Sequence, residues 1–220
     1  MGTCVREIIW EHSLDFICLQ ETKKPVISAA YLRKFDPLDV FFWTWLPSEG
    51  KSGGILVGVK KDSFEVHMSK VVKYVVLVCL WDKQLKIKWN LMSLYGSAHD
   101  EFKDDFLLEM VDFLSGQDVP FIIGGDFNII RGPEEKNQNY YHSHFIDDFN
   151  AIIHAFTLRE IALSGGKFTW TNGQDPPTLV KLDRVLMSDN WEDIFPLVSV
   201  RKLPRSFSDH NVLLLTSDGA

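Results

Sequence analysis

At 220 residues the chain has the length of one domain, 1–220, with enough material to bury a core, and 45% hydrophobic against 24% charged residues excludes a disordered chain. There is no apolar run long enough to span a bilayer and no basic-then-apolar leader, so an intracellular protein is expected, nuclear or cytoplasmic, with no signal peptide and no membrane partner. The net charge of −7 argues against a broad electrostatic grip on nucleic acid, but not against an enzyme that meets phosphates through a divalent cation. Cys4, Cys18 and Cys79 read as small buried hydrophobes in a reducing compartment rather than a disulfide framework.

In chain order, Val5, Ile8, Ile9 and His12 recur at helical spacing and predict a short amphipathic helix over Val5–His12. Leu14–Leu19 is a strand that ends in Gln20-Glu21-Thr22-Lys23. Phe35–Leu46 is aromatic and irregular; Ser52–Val59 is a buried strand entered through glycines; Val71–Trp81 is β-branched and predicts another strand. Asp82-Lys83-Gln84 is a hairpin turn into Leu85–Leu94, where Leu85, Ile87, Trp89 and Leu91 alternate with polar residues. Adjacent strands without an intervening helix imply an antiparallel portion. Asp100–Leu114 predicts a helix whose inner stripe includes Phe102, Phe106, Leu107, Met110, Val111, Phe113 and Leu114. Pro120–Ile123 is a buried strand that runs into Gly124-Gly125-Asp126-Phe127-Asn128. Arg131–His144 is a polar loop, and a second helix is expected over His144–Phe156. An aromatic strand and turn follow at Gly165–Gly173, a strand at Leu179–Met187, a helical turn at Trp191–Phe195, and closing strands at Val198–Leu203 and Val212–Leu215. This order predicts an α/β protein, two sheets packed face to face with helices outside.

Polar residues recur where strands stop: Glu21, Tyr95, Asp126, Asn128, Asp183, Asp209 and His210. Alternation along extended chain puts Asp126 and Asn128 on one side and Phe127 on the other. By itself, Gly-Asp-Phe-Asn more often marks a strand running into a turn than a functional site. If the strand ends share one edge, several carboxylates converge with a histidine, a cluster that cannot stay ionised without a cation. Oxygen donors in this number suit Mg²⁺ or Mn²⁺ rather than zinc. His210 could then serve as general base with Asp183 orienting its other ring nitrogen; Asp126 and Asn128 could hold water or phosphate, and Tyr95 could donate to a phosphate oxygen.

LQET at Leu19–Thr22, LYG at Leu94–Gly96, GDFN at Gly125–Asn128, KLDR at Lys181–Arg184 and SDH at Ser208–His210 stand in the order of the endonuclease/exonuclease/phosphatase superfamily, which the chain resembles over nearly its whole length. GDFNIIRGPEEKN, GGKFTWTNGQ and KLDRVLMSDNWEDIFP are similar to the endonuclease domain of plant non-LTR retrotransposons. The resemblance implies a DNase I-like four-layered sandwich of two mixed, mostly antiparallel sheets flanked by helices. It implies metal binding by Glu21 and Asp209, a phosphate-side tyrosine at Tyr95, water and phosphate positioning by Asp126 and Asn128, and a coupled acid and histidine at Asp183 and His210. Lys23, Trp170, Asn172 and Arg205 become candidate nucleic-acid contacts; Trp170 is as readily a core residue.

Two departures from the family pattern stand out. The family's first strand and its metal- and phosphate-binding asparagine are expected to be missing ahead of the first helix, and Ser97 stands where proline is usual. No reverse transcriptase follows, so a domain freed from its parent element is expected. The leading functional expectation is a Mg²⁺- or Mn²⁺-dependent phosphodiesterase nicking DNA, or RNA. The alternative is a catalytically impaired domain that acts by binding a protein partner, and a sugar-phosphate or inositol phosphatase ranks third.

Overall fold

The computed structural model describes residues 2–49, 53–138, 143–205 and 208–217. The chain divides into two compact units, Met1–Tyr95 and Gly96–Ala220. Each combines helices with mostly antiparallel strands, a mixed α/β fold.

The first unit opens with α1 (Gly2–Glu11), which buries Val5 and Ile9 as the apolar spacing requires. β1 (Phe16–Gln20) and β2 (Phe41–Leu46) both pair antiparallel with β3 (Ile55–Lys60), and the one-turn helix α2 (Ala29–Leu32) lies between β1 and β2 in the chain. Phe35–Leu46 is therefore not irregular throughout. Its second half is a strand whose burial alternates in threes because aromatic rings pack along it, with Trp43 against Phe35 and Phe41 at 5.6 Å each. Asp36, 4% exposed, accepts hydrogen bonds from the backbone of Val40 and Phe41 and from the Trp43 indole. Gly58 sits opposite Trp43, whose ring occupies the space a β-carbon would need. Val5, Ile9, Ile17, Ile27, Phe35, Phe41 and Leu56 close this core.

β4 (Phe64–Val71), β5 (Val75–Asp82) and β6 (Ile87–Tyr95) form an antiparallel meander. The strand expected over Val71–Trp81 is β5, beginning at Val75, and Val71 instead ends β4, a strand that was not expected. β4 alternates Phe64, Val66 and Met68 with Glu65, His67 and Ser69, a period-two strand pattern that the expected elements left out, although most of the strand is solvent-facing. Leu85 falls in the β5–β6 turn, 45% exposed, rather than on the buried face of β6.

In the second unit, a short 3₁₀ turn, Asp100–Phe102, precedes α3 (Lys103–Ser115), so Phe102 stands off the helical stripe and is 41% exposed. α3 buries Phe106, Leu107, Met110, Phe113 and Leu114. Then come β7 (Phe121–Asp126) and α4 (Ser143–Ala155). β8 (Arg159–Glu160), β9 (Leu163–Ser164), β10 (Trp170–Thr171) and β11 (Leu179–Val180) are two-residue strands. β12 (Asp183–Met187), α5 (Asp189–Ile194), β13 (Ser199–Lys202) and β14 (Leu213–Thr216) complete the unit. β12 lies between β7 and β8, both antiparallel; β13 joins β14 antiparallel and β9 parallel. The expected strand over Leu179–Met187 is broken at Lys181 and Leu182, and the break starts β12 at Asp183. Phe127 fills the core beneath the end of β7, against Phe106 and Phe149 at 6.4 and 5.2 Å. Among the described residues, no helix is long and apolar enough to cross a membrane.

Candidate active site

The site is built where β7 ends and β12 begins. Because these strands are antiparallel, the last residue of one meets the first of the other, and Asp126 pairs directly with Asp183. One carboxylate thus ends a strand and the other begins one, and the pairing brings them to the same edge. Thr169, fully buried, accepts the Leu182 and Asp183 backbone N–H groups at 3.0 Å on its hydroxyl, fixing where β12 starts.

After Asp126 the chain turns. Phe127 is buried, and Asn128 adopts a left-handed conformation, φ +51°. Asparagine tolerates that region better than most residues, and its side chain stabilises the turn here. The Asn128 backbone N–H donates to Asp126 Oδ1 at 2.9 Å, its amide donates to Asp126 Oδ2 at 2.8 Å, and the same amide reaches the Gly96 carbonyl at 3.0 Å. The Gly96 N–H donates to the Asp126 carbonyl at 2.7 Å. Ser97 forms a turn in proline's place, its hydroxyl bonded to both the N–H and the carbonyl of His99 at 3.0 Å.

His210 completes the group. Its Nδ1 lies 2.9 and 3.1 Å from the two carboxylate oxygens of Asp183, and Nε2 lies 3.8 Å from Asp126 Oδ2. The loop carrying it is tied to β10: Trp170 and His210 form a backbone bridge, Thr171 N–H donates to the Asp209 carbonyl at 3.1 Å, and the Trp170 indole N–H donates to Asp209 Oδ2 at 3.0 Å. Trp170 is half-buried, neither a core residue nor a free wedge, with its ring 6.5 Å from that of His210. The Ser208 hydroxyl accepts the His210 N–H at 3.1 Å, and Arg205 donates to the Asp209 carbonyl at 3.4 Å.

The electrostatics follow from this crowding. Burial, then the neighbouring Asp183 charge, push the Asp126 carboxyl up to about 7 despite His210 and the Asn128 hydrogen bonds. Burial would lower the His210 imidazole, but the hydrogen bond and charge of Asp183, with the charges of Asp126 and Asp209, outweigh it and raise it to about 9. Burial also opposes ionisation of Asp209, yet the Trp170 hydrogen bond and His210 hold it below the usual carboxylate range. Its Oδ1 has only a 3.3 Å contact from the Ser208 hydroxyl among the described residues. An ionised carboxylate with one oxygen held only by a long hydroxyl contact is a hard oxygen donor of the kind divalent cations take. Among the described residues, no three histidine, cysteine or acidic side chains form a complete ligand set.

The other expected residues divide. Asn172 is occupied in holding its own turn: its carbonyl oxygen accepts the Gln174 and Thr178 N–H groups and its amide reaches the Gln174 side chain. Glu21, Lys23 and Tyr95 belong to the first unit. Glu21 and Lys23 are both left-handed, φ +52°, and pair at 3.2 Å; Tyr95 ends β6, its N–H on the Tyr74 carbonyl.

A buried charge network around Arg184 was not among the expectations. Arg184, with no side-chain exposure, packs against the adjoining Phe127 and Phe149 rings, its guanidinium carbon 6.0 and 5.5 Å from their centres. It donates to Glu135 at 2.9 Å, Glu160 at 3.2 Å, and the Ile129 and Lys181 carbonyls at 3.2 and 3.1 Å. Lys181 and Arg131 also pair with Glu160. Arg184 thus ties the exit of the Asn128 turn to the chain entering β12. The available signal was a charged residue inside a strand-like run followed by an apolar stretch, which demands a buried partner.

The profile of the endonuclease/exonuclease/phosphatase family matches residues 3–210. Solved structures share the fold at low identity. The endonuclease domain of TRAS1, a telomere-specific non-LTR retrotransposon, aligns at TM-score 0.72 and 14% identity over 99% of this chain and 92% of its own. The AP endonuclease LMAP of Leishmania major aligns at 0.76 and 15%, over 96% and 80%. A mannosyl-6-phosphatase of Bacteroides thetaiotaomicron aligns at 0.62 and 15%, over 98% and 90%. No curated protein matches the chain by sequence.

Proposed function

Because the chain belongs to the endonuclease/exonuclease/phosphatase family, we propose that it is a divalent-metal-dependent phosphodiesterase that nicks DNA. The observation that carries the reading is the His210–Asp183 pair at 2.9 Å with Nε2 turned toward Asp126. Asp183 accepts the Nδ1 proton and fixes the tautomer that leaves Nε2 as the basic nitrogen. Nε2 takes the proton of a water that attacks phosphorus in line, the ester P–O bond opposite the water breaks, and the leaving oxygen takes up a proton from solvent. Asn128, whose amide protons go to Asp126 and to the Gly96 carbonyl, fixes the Asp126 carboxyl, which holds that water against the histidine. Trp170 steadies the histidine loop through Asp209.

Glu21 and Asp209 are the carboxylates assigned to the cation, and Tyr95 to a phosphate oxygen. For Glu21 and Tyr95 the assignment rests on their motifs alone. A bound dication supplies positive charge that stabilises the phosphate in the transition state and offsets the carboxylate field around His210. His210 must be neutral to act as a base, so its raised pKa predicts a rate that climbs with pH.

The reaction class is tested by incubating the protein with supercoiled plasmid, and separately with sugar phosphates, in Mg²⁺ or Mn²⁺. Nicked circles are the expected product. Release of inorganic phosphate from the sugar phosphates without nicking would replace this reading with a phosphomonoesterase.

A further inference from the structure

A pocket of about 410 Å³ lies in the first unit, immediately after Glu21 in the chain. Phe35 and Thr22, 1% and 4% exposed, line it together with Tyr31, Lys23, Lys24 and Lys34. The Lys24 and Lys34 ammonium groups each lie 5.6 Å from the centre of the Tyr31 ring. Lys23 is paired with Glu21, whereas among the described residues Lys24 and Lys34 have no carboxylate partner. In a chain of net charge −7 this is a local excess of positive charge.

The loop that carries two of these lysines is held in place. Thr22 and Lys23 N–H groups donate to the Gly54 and Gly53 carbonyls, and the Lys24 carbonyl accepts the Ser48 N–H at 3.0 Å. A preorganised loop loses little freedom when a ligand arrives. Two cations already associated with the Tyr31 ring leave an anion, rather than a stacked base, as the complement of the pocket. We propose that this pocket binds a phosphate ester, supplied by the backbone of the nucleic-acid strand being cut. The proposal rests on the phosphodiesterase reading above, because it is that reading which brings a strand to Glu21, one residue before the pocket.

The test measures duplex and single-stranded oligonucleotide binding by fluorescence anisotropy across a salt series in EDTA, which stops cutting. The variants are Lys24→Gln/Lys34→Gln and Lys24→Arg/Lys34→Arg. Loss of two phosphate contacts is expected to weaken duplex binding about tenfold at low salt and to flatten the slope of log K against log salt by roughly 1.8. The arginine pair keeps the charge and should retain affinity, and circular dichroism should show every variant folded. Turnover of bis(p-nitrophenyl) phosphate, which carries a single phosphate and no flanking strand to fill a second phosphate site, should be unchanged in the glutamine pair. If wild type fails to turn over that diester, the phosphodiesterase reading falls and the proposal falls with it. If the diester is turned over but oligonucleotide affinity and salt slope are unchanged in the glutamine pair, the proposal alone is overturned. Titration with AMP separates the sources: AMP binding lost in the glutamine pair, with oligonucleotide affinity intact, assigns the pocket to a free phosphate ester and overturns the strand.

Discussion

Replacing Arg184 with methionine removes the guanidinium but keeps an unbranched side chain against Phe127 and Phe149. The Glu135 and Glu160 side chains, only 9% and 11% exposed, would then share Lys181 and Arg131 alone. Removing one partner from a buried ion pair costs about 3–5 kcal/mol, because the other charge stays desolvated. Burial alone would raise Glu160, but Arg184, Lys181 and Arg131 hold it at about 2 against an ordinary 4.5. That depression corresponds to about 3 kcal/mol, in line with the first figure. The sign is that of a lowered carboxyl: the stabilisation is complete above pH 4.5 and is lost as pH falls toward 2. Urea unfolding followed by circular dichroism should therefore show Arg184→Met destabilised by about 3–5 kcal/mol at pH 7 and by much less at pH 3. Adding Glu160→Gln to Arg184→Met should recover part of the loss. A penalty under about 1 kcal/mol at pH 7, or one of equal size at both pH values, would refute the reasoning.

Asn128→Gly keeps the left-handed backbone and deletes the amide, so nicking should fall by about 10²–10³ with little change in melting temperature; Asn128→Ala should lose activity and also melt lower, since φ +51° strains alanine. A β-carbon at Gly96 would stand 2.8 Å from the Phe127 carbonyl carbon and 3.0 Å from the Phe106 ring, so Gly96→Ala should destabilise by about 1–3 kcal/mol in chemical denaturation. In metal-free protein, the His210 ring proton followed by NMR should titrate near 9, and in Asp183→Asn well below that, because the largest factor raising it is gone. Stability gained from His210 is complete below its unfolded value of about 6.5 and is lost as pH rises through 9.

Where periodicity was strong, the elements were legible. α1, α3, α4 and the buried strands β3 and β7 lie within a few residues of expectation, because burial on one face writes the pattern directly. β4 was missed although Phe64, Val66 and Met68 alternate with polar residues; what the alternation alone does not show is that the strand lies on the outside, paired to β5 with most of its side chains in solvent. Phe102 and Leu85 misled because a 3₁₀ turn and a hairpin turn each took them out of register with the apolar stripe they extend. The site was legible as a set of residue types, and Asp126, Asn128, Asp183 and His210 do converge. What the residues could not reveal was the register that pairs Asp126 with Asp183, the Thr169 hydroxyl that starts β12, or the use of Asn172 within its own turn. Those depend on partners far away in the chain.

The claim that His210, set by Asp183, is the base that drives phosphodiester cleavage is tested most directly by plasmid nicking. Wild type, His210→Ala and Asp183→Asn would be compared under single-turnover conditions in Mg²⁺ or Mn²⁺, with folding checked by circular dichroism. The account predicts metal-dependent nicking by wild type that falls by at least about 10² in each variant, the scale of a lost general base. Nicking by folded His210→Ala at the wild-type rate would contradict it.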